Sequence, residues 1–302
     1  MYHYIRKINR SKYPEFKGLE IENFKIQLNY LESKFNIISA EDLIDFKTNN
    51  KSLPNKSCIL TFDDGYKDHF VNVFPELKKR KLKGLFFPPG EAIIKRKMLD
   101  VNKIQFILAS TKDKNKLVKE LNDLLISHDI NEKDLDKLWK EPSILNRFDS
   151  KEEAYIKRVL QHDAIPEKIR NIISDILFKR FVTDDSYDFA DKLYMSIEEI
   201  KTLINEGMYV GSHTMKHFWL NKLTKTDQDE EISNSIKFLN SLGAPTQNWI
   251  MCYPYGAYNT DTLNLLYKKN CVFGLTAKVG EANLKKENFL ELPRFDTNDF
   301  PQ

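Results

Sequence analysis

Two carboxylates stand side by side in Thr61-Phe62-Asp63-Asp64-Gly65, directly after the apolar run Cys58-Ile59-Leu60. Side chains alternate along a strand, so a chain break at Gly65 is what would let both acids approach one place. Carboxylates so placed repel, and the repulsion raises one pKa unless a cation lies between them. A divalent metal on one of them relieves the repulsion and leaves the other as a base. The plainer alternative is a strand end whose Asp caps a helix beginning near Tyr66. A second pair follows in Gly211-Ser212-His213-Thr214-Met215-Lys216-His217, after Met208-Tyr209-Val210. If the chain turns helical there, His213 and His217 lie on one face, the usual way a short helix offers two nitrogen ligands to zinc. Two unrelated histidines, one capping and one on the surface, are the alternative. One Asp with two His makes a three-ligand catalytic site with an open position for water. The same set also holds iron(II) in oxygenases, but the spare Asp favours hydrolysis, which needs a base beside the metal. A third string, Tyr253-Pro254-Tyr255-Gly256, follows another apolar run. Its Pro and Gly shape a tight turn that either aims a backbone N–H at a developing oxyanion or is simply a turn.

These residues need strand ends to carry them. Candidate strands are Met1–Ile5, Asn36–Ser39, Ser57–Phe62, Gly84–Pro88, Met208–His213, Asn248–Tyr253, Cys271–Thr276 and Phe289–Arg294. Most are rich in Ile, Val, Phe and Tyr, and several are apolar on both faces, as buried parallel strands are. Between them lie stretches of helical period. Glu20–Phe35 puts Ile21, Phe24, Leu28 and Leu31 on one stripe, and Ala40–Phe46 follows an N-capping Ser39. Val71, Phe74, Leu77 and Leu82 mark a helix after the third strand. Ser196–Glu206 opens with the capping box Ser196…Glu199, and Thr226–Leu242 stops at Gly243 and Pro245. Strand–helix alternation of this length predicts an α/β fold, either barrel or open sheet. From Leu99 to about Asp191 no strand is predicted; the segment is dense in Lys, Asp, Glu, Leu and Ile. It reads as a mainly helical insertion over 99–191, either a stabilising lobe or a cap over a strand-end site.

The chain has 302 residues, 41% hydrophobic and 30% charged, enough apolar side chain for a sizeable core. Its net charge of +3 argues for neither nucleic-acid nor membrane attraction. Cys58, Cys252 and Cys271 are far apart in apolar segments and read as packing residues. No apolar run approaches the ~20 residues of a membrane span, and no signal-peptide stretch follows the start, so a cytoplasmic address is expected. His69, His128 and His162 sit in helical, polar settings and are expected at the surface.

TFDDG, then GSHTxxH, then PYG on successive strand ends resembles the polysaccharide deacetylase family, the NodB-homology domain of carbohydrate esterase family four. The N-terminal Tyr2-His3 and the phrase GMYVGSHTMKHFWLNKL resemble the branch that modifies bacterial surface polysaccharides. The resemblance covers Met1–Pro88 and about Leu193–Arg294. It implies a single distorted (β/α)7 barrel domain over 1–302 carrying the helical insertion, with a site at the C-terminal strand ends. Position by position it implies Asp64, His213 and His217 as metal ligands, Asp63 as catalytic base, and the Tyr255 N–H as oxyanion donor. The implied metal is zinc by default, with cobalt, nickel or iron suited to the same donors.

Two departures bear on the site. The family's third motif usually begins with an Arg that holds the catalytic Asp; here Cys252 stands there, and a thiol cannot replace a guanidinium fork. Arg294, in Leu290-Glu291-Leu292-Pro293-Arg294, either reaches the site instead or forms a surface ion pair. The family also usually carries a late His that protonates the leaving amine, whereas no His follows His217. His3, in the first candidate strand, either serves as that acid, orients a neighbour of the metal, or is a structural His. The reaction implied is removal of an N-acetyl group from an acetylated sugar of a surface polysaccharide or its precursor, the precursor following from the expected address. Rival readings are an O-acetyl esterase or non-sugar amidohydrolase on the same barrel, or an inactive glycan-binding relative.

Overall fold

The computed structural model describes residues 1–9, 11–141, 149–161, 165–285 and 288–301. Among the described residues seven strands are short and all pair in parallel: β1 (Asn36–Ile37) with β2 (Ser57–Cys58), β3 (Leu60–Asp63) with β4 (Gly84–Phe87), β4 with β5 (Tyr209–Val210), and β6 (Trp249–Cys252) with β7 (Cys271–Leu275). Single parallel bridges extend the order. Tyr2 pairs with Phe62 of β3, Ser212 beyond β5 pairs with Met251 of β6, and Leu275 of β7 pairs with Leu292. The first and last candidate strands are thus reduced to isolated bridges. From the Tyr2 segment through β3, β4, β5, β6 and β7 to the Leu292 segment there are seven positions, and the Met1 nitrogen donates to the Phe295 carbonyl across the ends (2.5 Å). Among the described residues no continuous ladder closes that ring.

Strands β3, β4, β6 and β7 are buried at every position, which is why their sequences run apolar rather than alternate. The two faces still have different neighbours. Ile250 and Cys252 of β6 pack with Leu85, Phe87 and Phe273, while Trp249 and Met251 pack with Ile232, Leu265 and Leu266. The latter three lie on α12 (Lys225–Leu242) and α13 (Thr260–Lys268), given in chain order with the other helices below.

The helices are α1 (Ile21–Lys34), α2 (Ala40–Thr48), α3 (Phe74–Arg80), α4 (Gly90–Lys95), α5 (Asp100–Ala109), α6 (Lys114–Ser127), α7 (Glu132–Lys140), α8 (Lys151–Gln161), α9 (Glu167–Phe181), α10 (Ser186–Leu193), α11 (Ile197–Asn205), α12 and α13. Their starts follow the predicted chemistry. Ser39 caps α2 and Ser196 caps α11, each in a reciprocal box with the residue three further on. Gly243 ends α12 at φ 78°, a conformation that favours glycine. The helix expected to begin near Val71 instead opens with a π-helical turn, His69–Val73, and Val71 points to solvent.

The chain forms two compact units. One comprises Met1–Arg6, Gly18–Lys97 and Ala190–Gln302; the other comprises Lys7–Lys17 and Met98–Phe189. In the second unit Phe16 and Tyr13 pack on Phe106 of α5 at 4.6 and 5.3 Å between ring centroids, and Lys17 pairs with Asp149 at 2.9 Å. The segment 7–17 thus joins helices that follow it by more than eighty residues of sequence. No helix among the described residues is long and apolar enough to cross a membrane.

Candidate active site

The acidic pair sits where β3 ends. Asp63 is its last residue, and the chain then takes two consecutive left-handed conformations, Asp64 at φ 70° and Gly65 at φ 66°. The break therefore begins one residue earlier than the sequence suggested. Asp tolerates this region better than most side chains, and at Gly65 a Cβ would lie 2.8 Å from the Pro88 Cβ. Both carboxylates are buried, Asp63 at 2% and Asp64 at 5% exposure.

Asp63 is clamped by Arg294. Its Oδ1 and Oδ2 accept from the two terminal guanidinium nitrogens at 3.0 and 2.8 Å. Arg294 is itself fixed, donating to the Thr276 carbonyl at 2.9 Å and to the Thr61 hydroxyl at 3.2 Å. Burial favours the neutral acid, but the guanidinium outweighs it and holds the Asp63 carboxyl well below the usual carboxylate range. The fork approaches from the 294 strand end rather than from position 252. His3 stands at the same carboxylate, its Nε2 3.9 Å from Asp63 Oδ2 and its side chain 39% exposed.

Asp64 turns to the histidines. Its Oδ1 lies 3.2 Å from His213 Nε2 and 3.2 Å from His217 Nε2, and all three residues are buried. Burial pushes the Asp64 carboxyl up, yet its contacts with His213 and His217 prevail and hold it well below its usual range. The pair is not carried on a helix as the i, i+4 spacing suggested. Residues 213–217 form an irregular loop with Thr214 at φ 61° and His217 at φ 59°, and this loop brings the two rings to 4.8 Å between centroids. Hydrogen bonds hold the loop from both sides. The Thr214 and Met215 carbonyls accept from the Gly90 and Glu91 N–H groups at 3.1 and 2.7 Å. The Met215 and Lys216 N–H groups donate to Glu231 Oε2 of α12 at 3.2 and 2.9 Å.

The donor set fits a divalent cation. His213 Nδ1 lies 2.7 Å from the Cys252 carbonyl, which can only accept, so in the neutral ring Nδ1 carries the proton and Nε2 presents its lone pair. That lone pair faces Asp64 Oδ1, a buried oxygen with no hydrogen-bond partner. Lone pairs crowded in a buried place repel unless a cation or proton joins them. Two imidazole nitrogens and a carboxylate oxygen suit zinc and its neighbours. A second group, Asp63, His213 and Cys252, also has its donor atoms within 4.8 Å of one another. It is the poorer cradle: Arg294 already occupies both Asp63 oxygens, and burial pushes the Cys252 thiol up, away from the thiolate a metal needs.

The PYG turn reaches the same place. Tyr255 takes φ 57°, its ring lies 4.7 Å from that of His217, and Trp219 stacks on it at 4.4 Å and 11°. All the residues singled out from the sequence, Asp63, Asp64, His213, His217, Tyr255, Arg294 and His3, belong to the first compact unit and gather at its strand ends. Other expectations need correction. His69 is fully buried, not at the surface; its Nε2 donates to the His3 carbonyl at 2.7 Å, and burial lowers its pKa to about 4. His128 is half-buried at the end of α6, and His162 lies outside the described residues. Cys252 and Cys271 are buried and Cys58 partly so, all three as free thiols. The sequence reading missed Tyr66, whose hydroxyl donates to Asp64 Oδ2 at 2.5 Å. Its signal was only its place two residues beyond Asp64.

Comparison with known proteins adds a family and a fold. The family model described as polysaccharide deacetylase matches residues 50–273. YxkH of Bacillus subtilis (strain 168), which carries the name of a polysaccharide deacetylase, is 33% identical over 92 residues, 30% of this chain; the match spans a third of the length of that curated relative. Among solved structures, the Streptococcus pyogenes deacetylase PplD in complex with acetate matches with a TM-score of 0.60 at 17% identity, over 98% of this chain and 89% of that one. IcaB from Ammonifex degensii matches at 0.53 and 19%, over 91% and 82%. A de-N-acetylase from Aggregatibacter actinomycetemcomitans matches at 0.53 and 15%, over 98% and 93%. At such identities the likeness is one of fold, the distorted (β/α)7 barrel, and the interrupted ring of short ladders is this chain's version of it.

Proposed function

The chain belongs to the polysaccharide deacetylase family, and on that premise we propose that it is a metal-dependent hydrolase removing the N-acetyl group from an acetylated sugar of a surface polysaccharide or its precursor. The observation that carries the proposal is the convergence of Asp64 Oδ1 with two histidine Nε2 atoms at 3.2 Å, beside a second carboxylate pinned by an arginine. Asp64, His213 and His217 would hold the cation, zinc first. When bound, it supplies Lewis acidity toward a carbonyl and makes water acidic enough to attack near neutral pH.

The chain's own groups do the rest. Asp63 accepts the proton of the attacking water; it is ionised and fixed because Arg294 binds both of its oxygens. The same guanidinium makes Asp63 a weak base, so the proton it takes is held loosely and passes to the neighbouring His3 imidazole. The Tyr255 N–H, in a left-handed turn beside His217, donates to the oxygen that gains charge as the carbonyl becomes tetrahedral. His3, partly exposed and 3.9 Å from Asp63 Oδ2, gives a proton to the leaving nitrogen, which departs as the sugar amine while acetate forms. Arg294 also weighs against an inactive glycan binder, since it supplies the fork that position 252 lacks.

Purified protein would be analysed for bound metal and then assayed for acetate release from N-acetylated and O-acetylated hexosamine donors. Release from the N-acetyl substrates, abolished by chelation and restored by zinc, is expected. Release from O-acetyl substrates alone would make it an esterase. Glycan binding with neither metal nor acetate release would overturn the catalytic reading.

A further inference from the structure

Asp64 offers its two oxygens to different partners. Oδ1 faces the histidines, while Oδ2 accepts from the Tyr66 hydroxyl at 2.5 Å. We infer that Tyr66 is a positioning residue that reserves Oδ2, so that Asp64 meets its cation through Oδ1 alone; this rests on the metal reading above.

Tyr66 is built to stay where it is. The side chain is fully buried, and its ring stacks on Tyr4 at 3.8 Å and 22° and lies near parallel to Tyr194 at 6.2 Å and 13°. Its backbone bridges that of Tyr194, and the adjoining Gly65 carbonyl accepts from the Met195 N–H at 2.9 Å. A fully buried ring stacked on Tyr4 is held against turning its hydroxyl away, and a phenol donating to a carboxylate fixes the carboxylate's rotation. Asp64 has its backbone in the left-handed region, φ 70°, and its carboxylate accepts a hydrogen bond at Oδ2 from Tyr66. Without the hydroxyl, the carboxylate is free to rotate, so its preset hold through Oδ1 weakens and it can also offer both oxygens. That adds a donor to the cation and uses a position needed by water or the acetyl carbonyl. The consequence for the reaction is that an open position is preserved by a residue that never touches substrate.

The test is Tyr66→Phe, which removes one oxygen and keeps the stacked ring. Zinc affinity would be measured by chelator competition, the cobalt-substituted protein by visible absorption, and folding by melting of the metal-free protein. The expected result is zinc binding about 10- to 100-fold weaker and a changed cobalt spectrum, with melting close to that of the wild type. Affinity within about twofold and a superimposable spectrum would overturn the assignment. Should the variant not fold, isotope-edited infrared spectra of the wild-type aspartates, with and without zinc, read the same point. A wide splitting between antisymmetric and symmetric carboxylate bands marks coordination by one oxygen, and a narrow one, marking two, would refute the role of Tyr66. A wild type that takes up no metal would instead defeat the functional proposal.

Discussion

At the scale of single residues the site gives two neighbouring acids different partners. Asp63 and Asp64 are adjacent in sequence and both buried, yet one faces a guanidinium and the other a pair of imidazoles. Environment alone separates them, as burial and neighbouring charge do wherever two carboxyl groups share a site. The separation predicts different failures. Asp63→Asn keeps the shape and should leave zinc stoichiometry and affinity nearly unchanged, while turnover falls by about 10²- to 10⁴-fold, the range for loss of a general base. Metal analysis and acetate release on the same preparation check both halves, and a variant with near-normal turnover would remove Asp63 from the role of base. That the two acids and two histidines gather at one place was legible in the sequence, because their types stand out at strand ends. Arg294 was legible only as one of two possibilities, since a bridge between residues 63 and 294 depends on how the ends of the ring meet. Tyr66 was not legible as a partner of Asp64, because a buried tyrosine after a strand usually means packing.

At the scale of elements, the site depends on how closely neighbouring strands approach. Gly211 lies just beyond β5, and its N–H donates to the Phe86 carbonyl of β4 at 2.9 Å. A Cβ there would lie 2.5 Å from Phe87 Cε1 and 2.7 Å from the Ile250 carbonyl oxygen, a backbone atom that cannot yield cheaply. Gly211→Ala should therefore force β5 and β6 apart and displace His213 two residues later. The expected result is about 1–3 kcal/mol of lost stability together with weakened zinc binding, measured by denaturant melts and chelator competition. Unchanged zinc affinity in a folded variant would show that the histidine loop is positioned without this contact. The capped helices were readable from sequence because their signals are local: Ser39 with Asp42, Ser196 with Glu199, and Gly243 after α12. The helix that the i, i+4 spacing allowed does not form, because bonds from Gly90, Glu91 and Glu231, remote in sequence, help to hold these residues in a loop. The first and last strands were read too long because edge pairing depends on partners remote in sequence.

At the scale of the whole molecule, acid stability depends on a histidine outside the catalytic group. Burial lowers the His69 pKa from 6.5 to about 4, so the folded chain keeps this ring neutral where the unfolded chain protonates it. The stabilisation is complete above about pH 6.5 and is lost as pH falls toward and through about 4. The shift corresponds to about 3 kcal/mol across that window. Replacing His69 by Gln, which keeps an N–H donor for the His3 carbonyl, should flatten the dependence of stability on pH between neutrality and pH 4.5; denaturant melts at several pH values measure it. An unchanged slope would place the acid sensitivity elsewhere. The same scale also bears on how such a protein can be rebuilt. Because Phe16, Tyr13 and Lys17 bind to Phe106 and Asp149, the helical lobe is threaded from two separate stretches of chain. A chimera that transplants only residues 98–189 would strand an early strip among foreign neighbours, so the exchangeable cassette is discontinuous.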